Sequence, residues 1–386
     1  MQERVAASHS KDHLIGLDLV RGLAAIAVLA YHIDFMFGLR GRLLPGGYTA
    51  VDLFFVLSGL VIAKTYEDDI VRRRMSFYQM ALRRLARLYP LYILTTVIGI
   101  FIMTARYRSN SGYFDIVPLT ISAIANVIML PTPLPPYGGV VLFPYNAASW
   151  SIFYEVAINI VFFFFLAGRR TLTLVALWIV AGAAMLATLL HFGGVDLGWG
   201  APNFVGGLAR VCFSFLSGML IWRRSRIAPW SSPAWLLFAL IGAHLAYMQF
   251  RLWAPDAVKM WGDAVVVFVL LPAVVVCAAG VVMPRALARA SRLLGDVSYA
   301  VYLTQGALII AAAGLTQMVI KTKIYDLAPW AGFVFLPVCV LASYFVFTYF
   351  EAPARRWIRV AERPPRATMI SLVGAGAHVA DKPEPG

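Results

Sequence analysis

Charge is scarce in this chain, and acidic charge is scarcest. Of 386 residues only 13% are charged, 33 basic against 19 acidic, while 61% are hydrophobic. A soluble globular domain carries charge on about a quarter of its residues, so the composition excludes one and describes an integral membrane protein. Cysteine is nearly absent: Cys212, Cys277 and Cys339 each sit alone in an apolar run, which excludes a disulfide scaffold and a thiolate metal site. The formal net charge of +14 forms no nucleic-acid stripe, because the basic residues fall in short clusters between apolar runs. That is the pattern of membrane topology, and no nucleic acid is expected as a partner. No cleavable signal sequence is expected either, since the first apolar run follows a polar tail, is long enough to span, and is closed by no small-residue site.

A bilayer core needs about 20 apolar residues per helix. Runs of that length lie near 16–37, 48–64, 88–104, 146–167, 172–191, 203–222, 233–250, 262–283, 297–317 and 329–350. A further run at 114–130 is shorter and interrupted by Pro118. With ten spans, about 23 basic residues fall on one side and about 8 on the other; counting 114–130 as a span lowers the contrast to about 18 against 13. The expectation is an all-α integral membrane protein of about ten transmembrane helices with both termini cytoplasmic. Residues near 114–130 form a short re-entrant or interfacial helix. Residues 1–14 are read as a cytoplasmic tail, 15–358 as the membrane domain and 359–386 as a disordered cytoplasmic tail. One internal echo links Phe54-Phe55-Val56-Leu57-Ser58-Gly59 to Phe213-Ser214-Phe215-Leu216-Ser217-Gly218, in spans of the same direction. It is therefore not the inverted repeat of many transporters.

Ionisable groups at membrane depth cost on the order of 2.5–3.5 kcal/mol each at a helix centre, so each needs a partner, a wet cavity or a function. The first span holds Asp18, Arg21 and His32. Arg21 and His32 lie about three turns apart on one face, roughly 16 Å along the axis, and Asp18 is placed to pair with Arg21. His32 suits a general base, with helix packing as the plain alternative. Arg83, Arg84 and Arg87, within about one turn at the cytoplasmic side, could clamp phosphates or simply anchor the helix among anionic headgroups. Near the outer end of the fourth span, Trp150, Tyr154 and Glu155 occur together, with Arg210 of the sixth span as the expected counter-ion of Glu155.

Six stretches then take on meaning in order: Leu17-Asp18-Leu19-Val20-Arg21-Gly22 with Tyr31-His32; Val51-Asp52-Leu53-Phe54-Phe55-Val56-Leu57-Ser58-Gly59; Arg84-Leu85-Ala86-Arg87-Leu88-Tyr89-Pro90; Ser149-Trp150-Ser151-Ile152-Phe153-Tyr154-Glu155; Gly295-Asp296-Val297-Ser298-Tyr299-Ala300-Val301-Tyr302-Leu303; and Tyr349-Phe350-Glu351-Ala352-Pro353-Ala354-Arg355. From Leu17 to Trp357 the chain resembles the acyltransferase-3 superfamily of multi-spanning membrane O-acyltransferases. The resemblance implies transfer of an acyl group, usually acetyl, from coenzyme A to a hydroxyl of a glycan or other acceptor. It implies functional roles for Arg21, His32, Arg84 and Arg87. Many members carry a His after the Ser-Tyr…Tyr-Leu stretch; here Gln305 stands there, which suits a hydrogen bond to substrate better than proton transfer. Members that modify cell-wall polymers often carry an extra hydrolase-like domain. None follows here, so the expectation is that the chain completes the transfer itself or hands its product to a separate glycan-assembly protein.

The expected site therefore has His32, Arg21 and Glu155 as catalytic residues, Arg83, Arg84 and Arg87 holding the donor, and Trp150, Tyr154, Arg210 and Gln305 meeting the acceptor, with Asp18 as structural partner and no metal. Acetyl-CoA or another acyl-CoA is the expected donor substrate, with no tightly bound cofactor, and a surface or lipid-linked carbohydrate the expected acceptor. The expected location is the bacterial inner membrane. Acylation of a small hydroxylated metabolite, and a glycan or ion transporter using the polar stripe, remain as alternatives.

Overall fold

The computed structural model describes residues 14–109, 116–134 and 140–361. Among them are ten helices long and apolar enough to cross a membrane. In chain order the helices are α1 (Ile15–Met36), α2 (Ala50–Val71), α3 (Phe77–Ser109), α4 (Ile116–Val127), α5 (Ser149–Val161), α6 (Thr171–Phe192), α7 (Phe204–Ile227), α8 (Ala234–Phe250), α9 (Asp256–Val265), α10 (Leu271–Gly280), α11 (Arg285–Leu315), α12 (Trp330–Val346) and α13 (Ala352–Ala361). Four π-helical turns extend or join them, at Phe162–Leu166, Val266–Leu270, Thr316–Ile320 and Phe347–Glu351. The spans are helical throughout, so their backbone bonds close within each segment, as hydrocarbon requires. Basic residues gather at one end of the bundle, in loops at Arg72, Arg73, Arg74, Arg169 and Arg170 and on adjoining helix ends at Arg223, Arg224 and Arg226; this is called the basic end and its opposite the far end.

The expected ten spans match ten of these segments, and α4 is a 12-residue apolar helix, about 18 Å long and too short to cross. Two boundaries differ in a way that matters. The third span begins eleven residues earlier than its apolar run, because α3 passes unbroken through Pro90 from Phe77; its arginines lie inside the helix rather than in a loop before it. The last span likewise runs through the π turn at Phe347–Glu351 and on to Ile358. The expected tails at 1–14 and 359–386 fall almost entirely outside the described residues.

Two close helix contacts set the frame. α1 packs on α11 where Gly22 faces Leu294 and Gly295 faces Asp18; a Cβ on Gly295 would come within 2.5 Å of the Asp18 Cβ. α2 packs on α7 through the two echoed stretches. A Cβ on Gly59 would meet the Phe215 carbonyl oxygen at 2.0 Å, and one on Gly218 would meet that of Val56 at 2.0 Å. The internal echo is thus a reciprocal small-residue contact between two helices running the same way.

Candidate active site

The site has two parts stacked along the bundle, a lower cavity and an upper histidine. The lower one, in the basic half, is a cavity of about 90 Å³ lined among others by Arg21, Ser58, Arg84, Arg87, Glu155 and Tyr302. Arg21 enters it from α1 and is tied to α11: Nε donates to Ser298 Oγ at 3.2 Å, and Nη2 donates to Asp18 Oδ1 at 3.0 Å and to the Gly295 carbonyl at 2.9 Å. Arg84 and Arg87, three residues apart on one face of α3, enter from the side. Arg84 forms an ion pair with Glu155, which also accepts from Ser58 Oγ at 3.2 Å. The Nε of Arg84 is buried and has no hydrogen-bond partner among the described residues. No described residue forms an ion pair with Arg87.

The floor is closed by a group that the sequence stretch Tyr349–Arg355 brings in. Glu351 ends the last π turn, is buried, and pairs with Arg355 one turn on. The Arg355 guanidinium lies 5.6 Å from the Tyr299 ring centroid and its Nε donates to the Arg87 carbonyl at 3.3 Å. π turns of this kind often sit at functional sites, because they rotate a side chain out of the α-helical register. Arg21, Arg84, Arg87 and Arg355 gather here around Asp18, Glu155 and Glu351, with Asp296 also within electrostatic reach of Glu351.

Phe54, Ser151 and Tyr302 close the top. The Phe54 and Tyr302 rings meet edge to face at 5.4 Å, and the Tyr302 hydroxyl is 2.7 Å from Ser151 Oγ. One helical turn above, Gln305 donates from Nε2 to the Tyr302 carbonyl at 2.7 Å, and its Oε1 is 3.2 Å from His32 Nδ1. His32 Nδ1 also lies 2.9 Å from the Val28 carbonyl. A carbonyl can only accept, so Nδ1 carries the hydrogen and Nε2 keeps its lone pair. This tautomer leaves Nε2 able to take a proton. His32 is half-buried and lies beyond the cavity ceiling rather than within it.

Several sequence expectations require correction. Glu155 does not pair with Arg210. Helix α5 descends far enough for its seventh residue to reach Arg84, while Arg210 is fully buried against Asp52, with Nε donating at 3.1 Å and Nη2 at 2.8 Å. Arg210 also donates to the Leu197 carbonyl at 2.7 Å and the Tyr48 carbonyl at 3.2 Å, so all three of its nitrogens, and four of its five N–H donors, are held by the protein. Trp150 and Tyr154 pack into the same wall: Trp150 lies under the Arg210 guanidinium at 5.2 Å, and the Tyr154 hydroxyl donates to the Phe204 carbonyl at 2.8 Å. Both are buried. Arg83 does not join Arg84 and Arg87, because it points about 100° away from Arg84 around the helix and is exposed. Asp18 does pair with Arg21. The sequence reading assigned no role to Ser58, Ser298, Tyr302, Glu351 or Asp52, although each lies in a stretch it singled out.

An arginine-lined cavity thus lies below a histidine whose Nε2 keeps its lone pair. The chain matches the acyltransferase domain family over residues 14–350, and it belongs to that acyltransferase-3 family. It is a multi-pass membrane acyltransferase. Among curated proteins it is 31% identical to protein 2 in the picA locus of Rhizobium radiobacter over 159 residues, 39% of this chain and 81% of that protein. It is 34% identical over 95 residues to the peptidoglycan O-acetyltransferase OatA of Listeria monocytogenes, 24% of this chain and 14% of that one. It is 35% identical over 92 residues to a putative O-acetyltransferase of Staphylococcus aureus, 22% and 14% respectively. The chain thus spans most of the first relative and about one seventh of the length of the other two. No solved structure matches it.

Proposed function

We propose that the protein transfers an acetyl group from acetyl-CoA to a hydroxyl of a surface or lipid-linked carbohydrate, with the basic end in the cytoplasm. The observation that carries this reading is a stacking along the bundle: an arginine-lined chamber in the basic half, and one helical turn above its ceiling an imidazole with Nε2 unprotonated. The positive-inside bias supports the orientation, and the O-acetyltransferase names of the Listeria and Staphylococcus relatives support the acyl group and acceptor chemistry.

On this reading Arg84 and Arg87 hold the donor's phosphates, which cannot enter hydrocarbon cheaply, and only the pantetheine arm and thioester pass the Phe54–Tyr302 ceiling. His32 Nε2 takes the proton of the acceptor hydroxyl as its oxygen attacks the thioester carbonyl. The C–S bond then breaks, the acetyl ester forms, and the imidazolium returns the proton to the departing thiolate. Gln305 and the Val28 carbonyl hold the ring in the tautomer this needs. Arg21 lends positive charge to the path without leaving its anchors on α11.

The purified protein in lipid nanodiscs, given labelled acetyl-CoA and a panel of methyl and 4-methylumbelliferyl glycosides, tests the reading. His32→Ala should lower kcat by about 10²–10⁴ while CoA binding and thermal stability stay at the parental values. Turnover near the parental rate would return His32 to a packing role.

A further inference from the structure

Between α6 and α7 the chain makes a tight turn at the far end, and Asp196 sits at its apex. Leu197 N donates to the Val195 carbonyl at 2.8 Å, closing the turn around it. The backbone on either side is held by fully buried charges. Val195 N donates to Asp263 Oδ2 at 3.2 Å, and the Leu197 carbonyl accepts from Arg210 Nη1 at 2.7 Å. Asp263 is itself held by Tyr48 at 2.9 Å, Tyr247 at 2.5 Å and Arg251 at 3.1 Å, while Arg210 is held by Asp52. Trp199 Nε1 donates to the Asp196 carbonyl at 3.2 Å.

All of this fixes main chain; the Asp196 carboxylate is left half-exposed. Its Oδ2 accepts from the Tyr31 hydroxyl at 2.9 Å, and among the described residues nothing donates to its Oδ1. Tyr31 adjoins His32, the two rings meeting edge to face at 5.2 Å, and Asp196 lies within electrostatic reach of the imidazole. Two buried charge networks that converge on the residues before and after a half-wet acid do little for that acid's own contribution to stability. They do fix where its oxygens point. A carboxylate with a free oxygen accepts hydroxyl hydrogens and repels anions, and aromatic rings of Tyr31 and Trp199 adjoin it.

We propose that Asp196 is an acceptor-binding residue: its Oδ1 accepts a hydrogen bond from one hydroxyl of a neutral polyhydroxylated acceptor while another hydroxyl of that acceptor reaches His32 Nε2, and Tyr31 holds the carboxylate in place. This rests on His32 acting as the base of the transfer. It moves the acceptor site from the buried Trp150–Tyr154–Arg210 wall to the far-end turn, and it selects uncharged sugar hydroxyls over phosphorylated or carboxylated ones next to the reacting position.

The same nanodisc assay decides it. Asp196→Asn should raise the apparent KM for the glycoside acceptor about tenfold or more and leave the Kd for CoA unchanged, a split that a general loss of structure would not produce. Tyr31→Phe keeps the carboxylate and every main-chain bond of the turn, and should raise acceptor KM about threefold. A parental acceptor KM in Asp196→Asn overturns the proposal while leaving the transferase reading intact. Should that variant fail to accumulate, a parental acceptor KM in Tyr31→Phe overturns it instead. No transfer to any glycoside by the parental protein overturns the transferase reading, and this proposal with it.

Discussion

Two clusters of charge lie at membrane depth, built from the same residue types and finished in opposite ways. At the far end Arg210 and Asp52 are completely buried, and every guanidinium nitrogen of Arg210 that could reach an acceptor has one. Asp263 nearby is likewise buried and surrounded by Tyr48, Tyr247 and Arg251. At the basic end the chamber keeps an Arg87 with no ion pair and an Arg84 Nε with no hydrogen bond among the described residues, and a cavity against them. Burying a charge costs several kcal/mol, and only full pairing and hydrogen bonding offset it. A saturated cluster has thus spent its donors on the fold, whereas an under-satisfied one beside a cavity has donors left for a ligand.

If this contrast is right, breaking the saturated cluster costs the most. Asp52→Asn leaves the Arg210 charge uncompensated where no water reaches, and should destabilise the protein by about 3–5 kcal/mol. The expected result is loss of monodisperse protein after detergent extraction, read by fluorescence-detected size exclusion. Asp52→Leu combined with Arg210→Met removes both charges and should recover part of that loss. Equal damage from the double and single variants would mean that shape, rather than unpaired charge, is what the wall needs.

The under-satisfied cluster should respond through ligand binding instead. Arg87→Ala removes a cation that has no ion pair among the described residues, and the apparent KM for acetyl-CoA should rise about tenfold, the worth of one charge-assisted phosphate contact, with thermal stability unchanged. Arg87→Lys should fall between, since it keeps charge but loses the planar fork. Arg83→Ala, on the exposed side of the same helix, should leave the donor KM within about twofold. Equal effects at 83 and 87 would show that the basic segment acts by diffuse attraction and that the chamber has no privileged cation.

How much of this was legible beforehand depended on whether the signal was local. Ten apolar runs sufficed for the spans, and the short run near 114–130 was separable by length alone. The i, i+3 pairing of Asp18 with Arg21 was visible for the same reason. Partners distant in sequence were not: Asp52 and Arg210 are 158 residues apart, and Arg84 and Glu155 are 71 apart. Counting helical rise placed Glu155 near the far interface and Arg84 at the basic surface. That arithmetic missed the continuation of α3 through Pro90, which carries its arginines into the bilayer on a helix. Asp52 and Glu351 stood inside stretches already singled out, and asking what neutralises each buried charge would have flagged them. Asp196 carried no such mark, because its importance comes from main-chain bonds made to Arg210 and Asp263, which no side-chain pattern announces.

The subtlest test of the comparison is Glu155→Gln. In the chamber Glu155 pairs with Arg84 and therefore competes with any phosphate for the same guanidinium. Gln keeps the volume and can still accept from Ser58, but it no longer holds the cation. An anionic donor then meets two available arginines and one fewer like charge. CoA should bind about two- to fivefold more tightly, the scale of a partly solvated ion pair, and isothermal titration calorimetry reads the change directly. The gain should shrink as salt is raised, because screening weakens both attraction and competition. Weaker CoA binding in this variant would mean that Glu155 aims Arg84 at the phosphate instead of competing for it. Arg84 would then belong, like Arg210, to the charges whose geometry is set by the fold, and Arg87 would stand as the chamber's ligand-facing cation.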